Sequence, residues 1–299
     1  MSDRPAQPAI ARVLARVAFA PSAADVERVR RRGFAAYVDE QLAWQALDDA
    51  PLAANLERVL PTLAFDRAGL VAQAHGEAPR RAQIEWRAAT RARRNASRRQ
   101  LYEVMVEFWT RWFGLPDGVD TLLHERDVVR AHALGRYADL LRASARSTAM
   151  LARERRRWLD DLTGRHSRGL AAGDADLDEA ERCFSGWTLD AVDGTPCFVA
   201  ARHDYGAKRV FGTLLPAGGG ADDGDALIDR LAADPATARH VARRLVRRFV
   251  GAEPRELVDV AAVAFAASRG DIASTVRLVL GSAAFFASVG LDAEVAARG

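Results

Sequence analysis

Apolar residues at helical spacing, sustained along most of the chain, limit what this sequence can fold into more than any other feature. The stretch RRQLYEVMVEFWTRWFG sets Leu101, Val104, Met105, Phe108 and Trp112 three and four residues apart, which is one stripe of an α-helix. Gly114 and Pro116 end that pattern, and it reaches back to about Arg80 as one long helix. Residues 8–18 alternate apolar residues with arginine at the same spacing. Ser22 and Asp25 have the form of a capping box, and helices are expected on either side of Gly33. Pro51 and Pro61 punctuate shorter helices, and HERDVVRAHALGRYADLLRASARSTAML reads as two more. Asp234-Pro235 supplies an N-cap and a first-turn proline. Behind it Ala238, Val241, Leu245 and Phe249 form a buried stripe, and two more helices are predicted at about 254–268 and 271–281.

The pattern changes in GWTLDAVDGTPCFVAARHDYGAKRVFGTLLPAGGG. Turn formers such as Asp193-Gly194 alternate there with β-formers around Phe198-Val199 and Val210-Phe211. The predicted fold is therefore all-α, an irregular multi-helix domain with a small β-hairpin or irregular insertion near residues 190–215. That insertion sits inside an excursion at 186–222. PAGGGADDGD reads as a flexible surface loop. No repeat of fixed period and no clean linker interrupts residues 1–299, so one helical domain is expected.

Composition excludes several functions. With 49% hydrophobic residues, the chain can build a sizeable core. Lys208 is the only lysine among 43 basic residues, and the net charge is +3. A small net charge is weak support for a nucleic-acid partner, and arginine excess is the mark of a GC-rich genome. Arg87, Arg91, Arg94 and Arg98 do form a helical stripe, but no nucleic-acid motif or interleaved aromatic accompanies it, so nucleic acid is not an expected partner. No run approaches the roughly 18 apolar residues needed to span a bilayer. The N-terminal stretch lacks an apolar signal core, so no membrane association and a cytoplasmic location are expected. Cys183 and Cys197 have no zinc spacing and are expected to be free thiols. No phosphate-binding loop and no Gly-x-Ser-x-Gly elbow is present, and no cofactor or metal is expected.

Four residues are candidates for chemistry: His203, Asp204, Lys208 and His166. His203-Asp204 could supply a base or two metal ligands while Lys208 holds an anion. The structural alternative is a turn. In it Asp204 and Gly206 shape the backbone, His203 donates to a carbonyl, and Lys208 is a solvated end worth about 0–1 kcal/mol. Two ligands without a third make a poor metal site. His132 and His166 lack a partner one helical turn away, and each reads as a satisfied or exposed histidine. Trp187 reads as a core anchor.

Six stretches, in order, carry a family resemblance: LARVAFAP, RRQLYEVMVEFWTRWF, VVRAHALGRYADLLRASARSTAML, ERCFSGWT, RHDYGAKRVFG and DPATARHVARRLVRRFV. Together they resemble the bacterial domain of unknown function 1800 family, over most of the chain. The resemblance implies a largely helical fold without a known reaction. It also implies a candidate protein partner, since genes of this family often lie beside those of a sulfatase-like family. Many members look exported, whereas this sequence reads as a short, diverged member lacking that signal and the usual portion beyond LGSAAFFAS. Where the family has Phe-Trp-His-Asn-His-Phe, this chain has Phe108, Trp109, Thr110, Arg111, Trp112 and Phe113. Arg155, Arg156 and Arg157 fall on a family Asn-Glu-Asn, Asp160 on an arginine, Asp161 and Gly164 on glutamates, and His166 on a histidine. The expectation is a non-catalytic helical interaction protein; the alternative is a hydrolase with its site around His203 and Asp204.

Overall fold

Of the apolar stripe of residues 101–112, Leu101, Val104, Met105 and Trp112 are buried and Phe108 is half-buried against the core. A computed structural model describes residues 7–72 and 78–291. The first half comprises α1 (Gln7–Val17), α2 (Ala23–Arg32), α3 (Phe34–Leu42), α4 (Ala50–Val59), α5 (Arg67–Ala72), α6 (Ala78–Ala96) and α7 (Gln100–Phe113). Next, α8 (Val119–Leu123) continues through a π-helical stretch, His124–Val129, into α9 (Arg130–His132). After α10 (Tyr137–Ala145) and α11 (Thr148–Leu151), α12 (Arg155–Asp160) runs into a second π-helical stretch, Asp161–Arg168. α13 (Asp174–Cys183) leads to four short strands, β1 (Trp187–Leu189), β2 (Pro196–Phe198), β3 (Lys208–Val210) and β4 (Thr213–Leu215). The chain then returns to helix in α14 (Asp222–Ala232), α15 (Pro235–Val250), α16 (Arg255–Ala267), α17 (Ile272–Leu280) and α18 (Ala283–Ser288).

The fold is all-α, and its caps form where the sequence places them. Ser22 Oγ accepts from Asp25 N, and the Asp25 carboxylate accepts from Ser22 N at 2.8 Å, closing the capping box of α2. Asp234 accepts from Ala236 N at 2.8 Å ahead of Pro235, and α15 ends at left-handed Gly251. One apolar cluster extends from Ile10 to Val289 and takes in α7, α10, α15 and α17. Trp109 lies fully inside it, its indole N–H satisfied by Ala133 O at 2.8 Å.

Two expectations need correction, and a third is made more definite. The long helix from about Arg80 to Phe113 is two helices, broken at residues 97–99. Side chains from elsewhere close the break. Gln41 donates to Arg98 O and accepts from Leu101 N, while Asp49 accepts from Ser97 Oγ and Arg98 N. Gln100 then uses its oxygen for Phe19 N and Ala20 N. The freed backbone groups thus find partners that a continuous helix would not need.

The insertion, expected as one hairpin or an irregular excursion, holds two antiparallel hairpins, β1–β2 and β3–β4. Strands of three residues are marginal alone, and α13 secures the second pair. Glu179 accepts from Arg209 N at 2.6 Å and Asp176 from Phe211 N at 2.7 Å. The expected loop PAGGGADDGD also turns helical early, because α14 starts at Asp222 and buries Asp223.

Cys183 is buried at the end of α13 and Cys197 is half-buried on β2; both are free thiols. Burial, then the Asp223 charge, pushes the Cys183 thiol up to about 12. Iodoacetamide at pH 8 should therefore alkylate native Cys183 at least about 100-fold slower than denatured Cys183, since the thiolate is the nucleophile. Peptide mapping after timed labelling measures this, and equal rates would contradict the buried placement.

Candidate functional site

Two of the sequence stretches meet in space. ERCFSGWT ends α13 and begins β1, while RHDYGAKRVFG leads into β3, and the contacts between them organise residues 182–208. Gly186 permits the approach. Its φ is +85°, and a Cβ there would sit 2.8 Å from the Phe198 ring and 3.0 Å from Val199 O.

His203 is engaged at both ring nitrogens. Nδ1 lies 2.7 Å from Ser185 O, and a carbonyl only accepts, so Nδ1 carries the proton. Nε2 lies 3.1 Å from Asp223 Oδ2. The same oxygen takes Lys208 Nζ at 2.6 Å. Lys208 also donates to Asp204 O and, at 2.9 Å, to Gly206 O. Its three ammonium hydrogens therefore have three acceptors.

Lys208 is 1% exposed and Asp223 3% exposed. The expected solvated end is instead a buried cation, and this is a correction. An isolated ammonium cannot stay charged in a core, so it needs a carboxylate and further acceptors. Asp223 supplies the carboxylate from the first turn of α14, where the helix N-terminus favours negative charge.

Asp204 faces the other way. Its carboxylate pairs with Arg182 at 2.8 Å and accepts from Gly206 N at 2.8 Å, the expected turn. The Arg182 hydrogen bond, followed by that of Gly206, holds its carboxyl down to about 2. Ser185 Oγ accepts from Asp204 N and donates to Arg182 O.

Beside this lies an open cleft of about 560 Å³. Asp204, Arg182, Ser185, Arg155, Arg202 and Trp187 line it. Arg155 is held by donation to Phe184 O and Trp187 O. Trp187 is half-buried rather than a full core anchor, and the Arg146 guanidinium stands 4.5 Å from its ring centroid.

His166 sits elsewhere, in the second π-helical stretch. It is 1% exposed, and its Nε2 has no hydrogen-bond partner among the described residues. The reading of a satisfied or exposed histidine is thus corrected. The Phe113 ring stands 4.9 Å from the His166 ring and equally 4.9 Å from that of His124, which lies in the first π-helical stretch. His124 Nε2 meets Ser144 Oγ at 2.8 Å. Burial lowers the imidazoles to about 3 at His124 and about 4 at His166.

Sequence reasoning missed Asp223, Ser185 and Arg182. Lys208 stands out as the single lysine, but nothing in the sequence points to Asp223 ahead of the nearer Asp204 as its carboxylate. The arginine stripe on α6 is partly consumed within the fold. Arg87 pairs with Asp117, while Arg94 pairs with Glu107 and covers the Phe19 ring. Among the described residues no three His, Cys, Asp or Glu side chains converge as a metal-ligand set. Nor is any helix there long and apolar enough to cross a membrane.

No curated protein and no solved structure matches the chain. The family described as "Protein of unknown function (DUF1800)" matches residues 12–165 and 166–296. Those two segments take in every stretch discussed above except the first few residues, and on that extent the chain belongs to the DUF1800 family.

Proposed function

We propose that this protein is a non-catalytic helical interaction protein, in which residues 203–208 work as a structural clasp. One observation supports this most: every donor of His203 and Lys208 is already committed to Ser185 O, Asp223, Asp204 O or Gly206 O. A general base needs a free lone pair and a pKa near the operating pH. His203 has no free nitrogen, and Asp204 at about 2 is far too acidic. A hydrolase with its site around His203 and Asp204 would need one of these groups released. A sulfatase-like protein is the partner that the family resemblance nominates.

Turnover of model ester, phosphate-ester, sulfate-ester and amide substrates separates the two readings. The wild-type protein should show none above background. His203→Gln should cost about 1–3 kcal/mol of stability by leaving buried acceptors unpaired. Wild-type turnover that disappears in His203→Gln or Asp204→Asn at unchanged melting temperature would sink the non-catalytic reading.

A further inference from the structure

Arginines from four separate elements converge where α1, α7 and α15 pack together. Arg248 donates to Arg16 O at 3.5 Å, which brings α15 against α1. One turn back on α15, the Arg244 guanidinium stands 5.5 Å from the Trp112 ring centroid of α7. The His240 ring also packs on Trp112, at 5.0 Å between centroids, and its Nε2 meets Arg165 O at 3.1 Å. Arg165 extends over Gly114, the cap of α7. Arg111 stands out from α7, its side chain 77% exposed.

Counter-charge is scarce here. Within salt-bridge distance, and among the described residues, Arg16, Arg165, Arg244 and Arg248 meet no carboxylate, while Arg111 meets Glu107, which it shares with Arg94. Burial depresses Arg248 first; Glu107 opposes that, and the neighbouring Arg111 and Arg16 charges add to it. The whole chain carries only +3, so a local excess of this size is a feature of the face and not of the protein at large.

We infer that this face is a docking surface for an acidic segment of a partner protein. Guanidinium groups bind carboxylates as planar forks; Arg111 and Arg244 are exposed, while half-buried Arg248, one turn along from Arg244, adds positive charge behind them. Nucleic acid offers the same charge, yet this face suits it less. Trp112 is buried and Phe108 packs edge-on against Trp109, so no ring is presented for base stacking. The helices lie packed side by side, and α15 buries its apolar stripe against the core instead of projecting into a groove. The inference is independent of the reading of the clasp, since it uses none of residues 182–208.

The test is titration of the full chain with a fluorescent oligoglutamate peptide, in parallel with a short DNA duplex. The peptide should bind, and raising salt from about 50 to about 300 mM should weaken it at least about tenfold by screening. The double variant Arg111→Glu, Arg244→Glu should weaken it at least about tenfold at low salt, and Arg111→Gln, Arg244→Gln by an intermediate factor. Arg255→Glu changes a side chain that is 88% exposed on α16 and should stay within about twofold of wild type. Circular dichroism confirms that each variant is folded. Absence of peptide binding, an equal loss in Arg255→Glu, or tighter binding of DNA than of peptide would each overturn the proposal.

Discussion

Replacing Lys208 by Met should lower the stability of this protein by about 3–5 kcal/mol, the usual cost of leaving one member of a buried ion pair alone. Asp223 then keeps His203 Nε2 but loses the ammonium at 2.6 Å, in a position 3% exposed. Against a typical total of about 5–15 kcal/mol, that loss is a large share of the folding free energy. The double variant Lys208→Met, Asp223→Asn should recover about 1–3 kcal/mol of it, because no unpaired carboxylate remains and the new amide N–H can donate to His203 Nε2. Urea denaturation of wild type, both single variants and the double variant gives the coupling. A Lys208→Met protein within about 0.5 kcal/mol of wild type would show that the lysine is not a buried partner at all.

Acid should unfold the protein through two of its buried histidines, His124 and His166. Both are held neutral by burial, His124 at about 3 and His166 at about 4, below the unfolded value of about 6.5. For His166 the Asp161 charge opposes that push and the Arg165 charge adds to it; for His124 the neighbouring His166 adds to it. Above the unfolded value both states are unprotonated and the stability is complete. As pH falls below it, the unfolded chain takes up protons that the folded chain refuses, and stability drains away until the folded sites titrate. Each histidine is worth about 3–5 kcal/mol over that range. Stability should therefore fall steeply between about pH 6 and pH 4, and the double variant His124→Gln, His166→Gln should flatten the slope. Equal slopes for the variant and wild type across that window would refute the assignment.

Much of the fold could be read from residues whose effect is local. Ser22 and Asp25 close their capping box, Asp234-Pro235 opens α15, and the stripe of Val241, Leu245 and Phe249 is buried to the last residue. What could not be read depends on partners distant in sequence. Arg98, Arg99 and Gln100 are sound helix formers, and the break between α6 and α7 exists because Gln41 and Asp49 arrive to satisfy the opened backbone. The π-helical stretches leave no mark in apolar spacing. Of the candidate residues, the turn at Asp204 was legible because the Asp-x-Gly signal is local. The burial of Lys208 was not, since its carboxylate lies in a Gly- and Asp-rich run that resembles a loop.

The aromatic stack at one edge of the core has a consequence for how the chain is made. Phe34, at the start of α3, lies parallel to Phe285 of α18, with centroids 5.5 Å apart, and Phe286 closes on it edge-first. These partners are separated by about 250 residues of chain. At a synthesis rate of about 5–20 residues per second, Phe34 leaves the ribosome about 12–50 s before its partner exists. During that interval α1, α2, α3 and α7 pack on one another, but the face of α3 that holds Phe34 lacks the α17 and α18 surfaces that cover it. Nascent chains stalled before α17 should therefore recruit a holdase chaperone, and release should follow emergence of the final two helices.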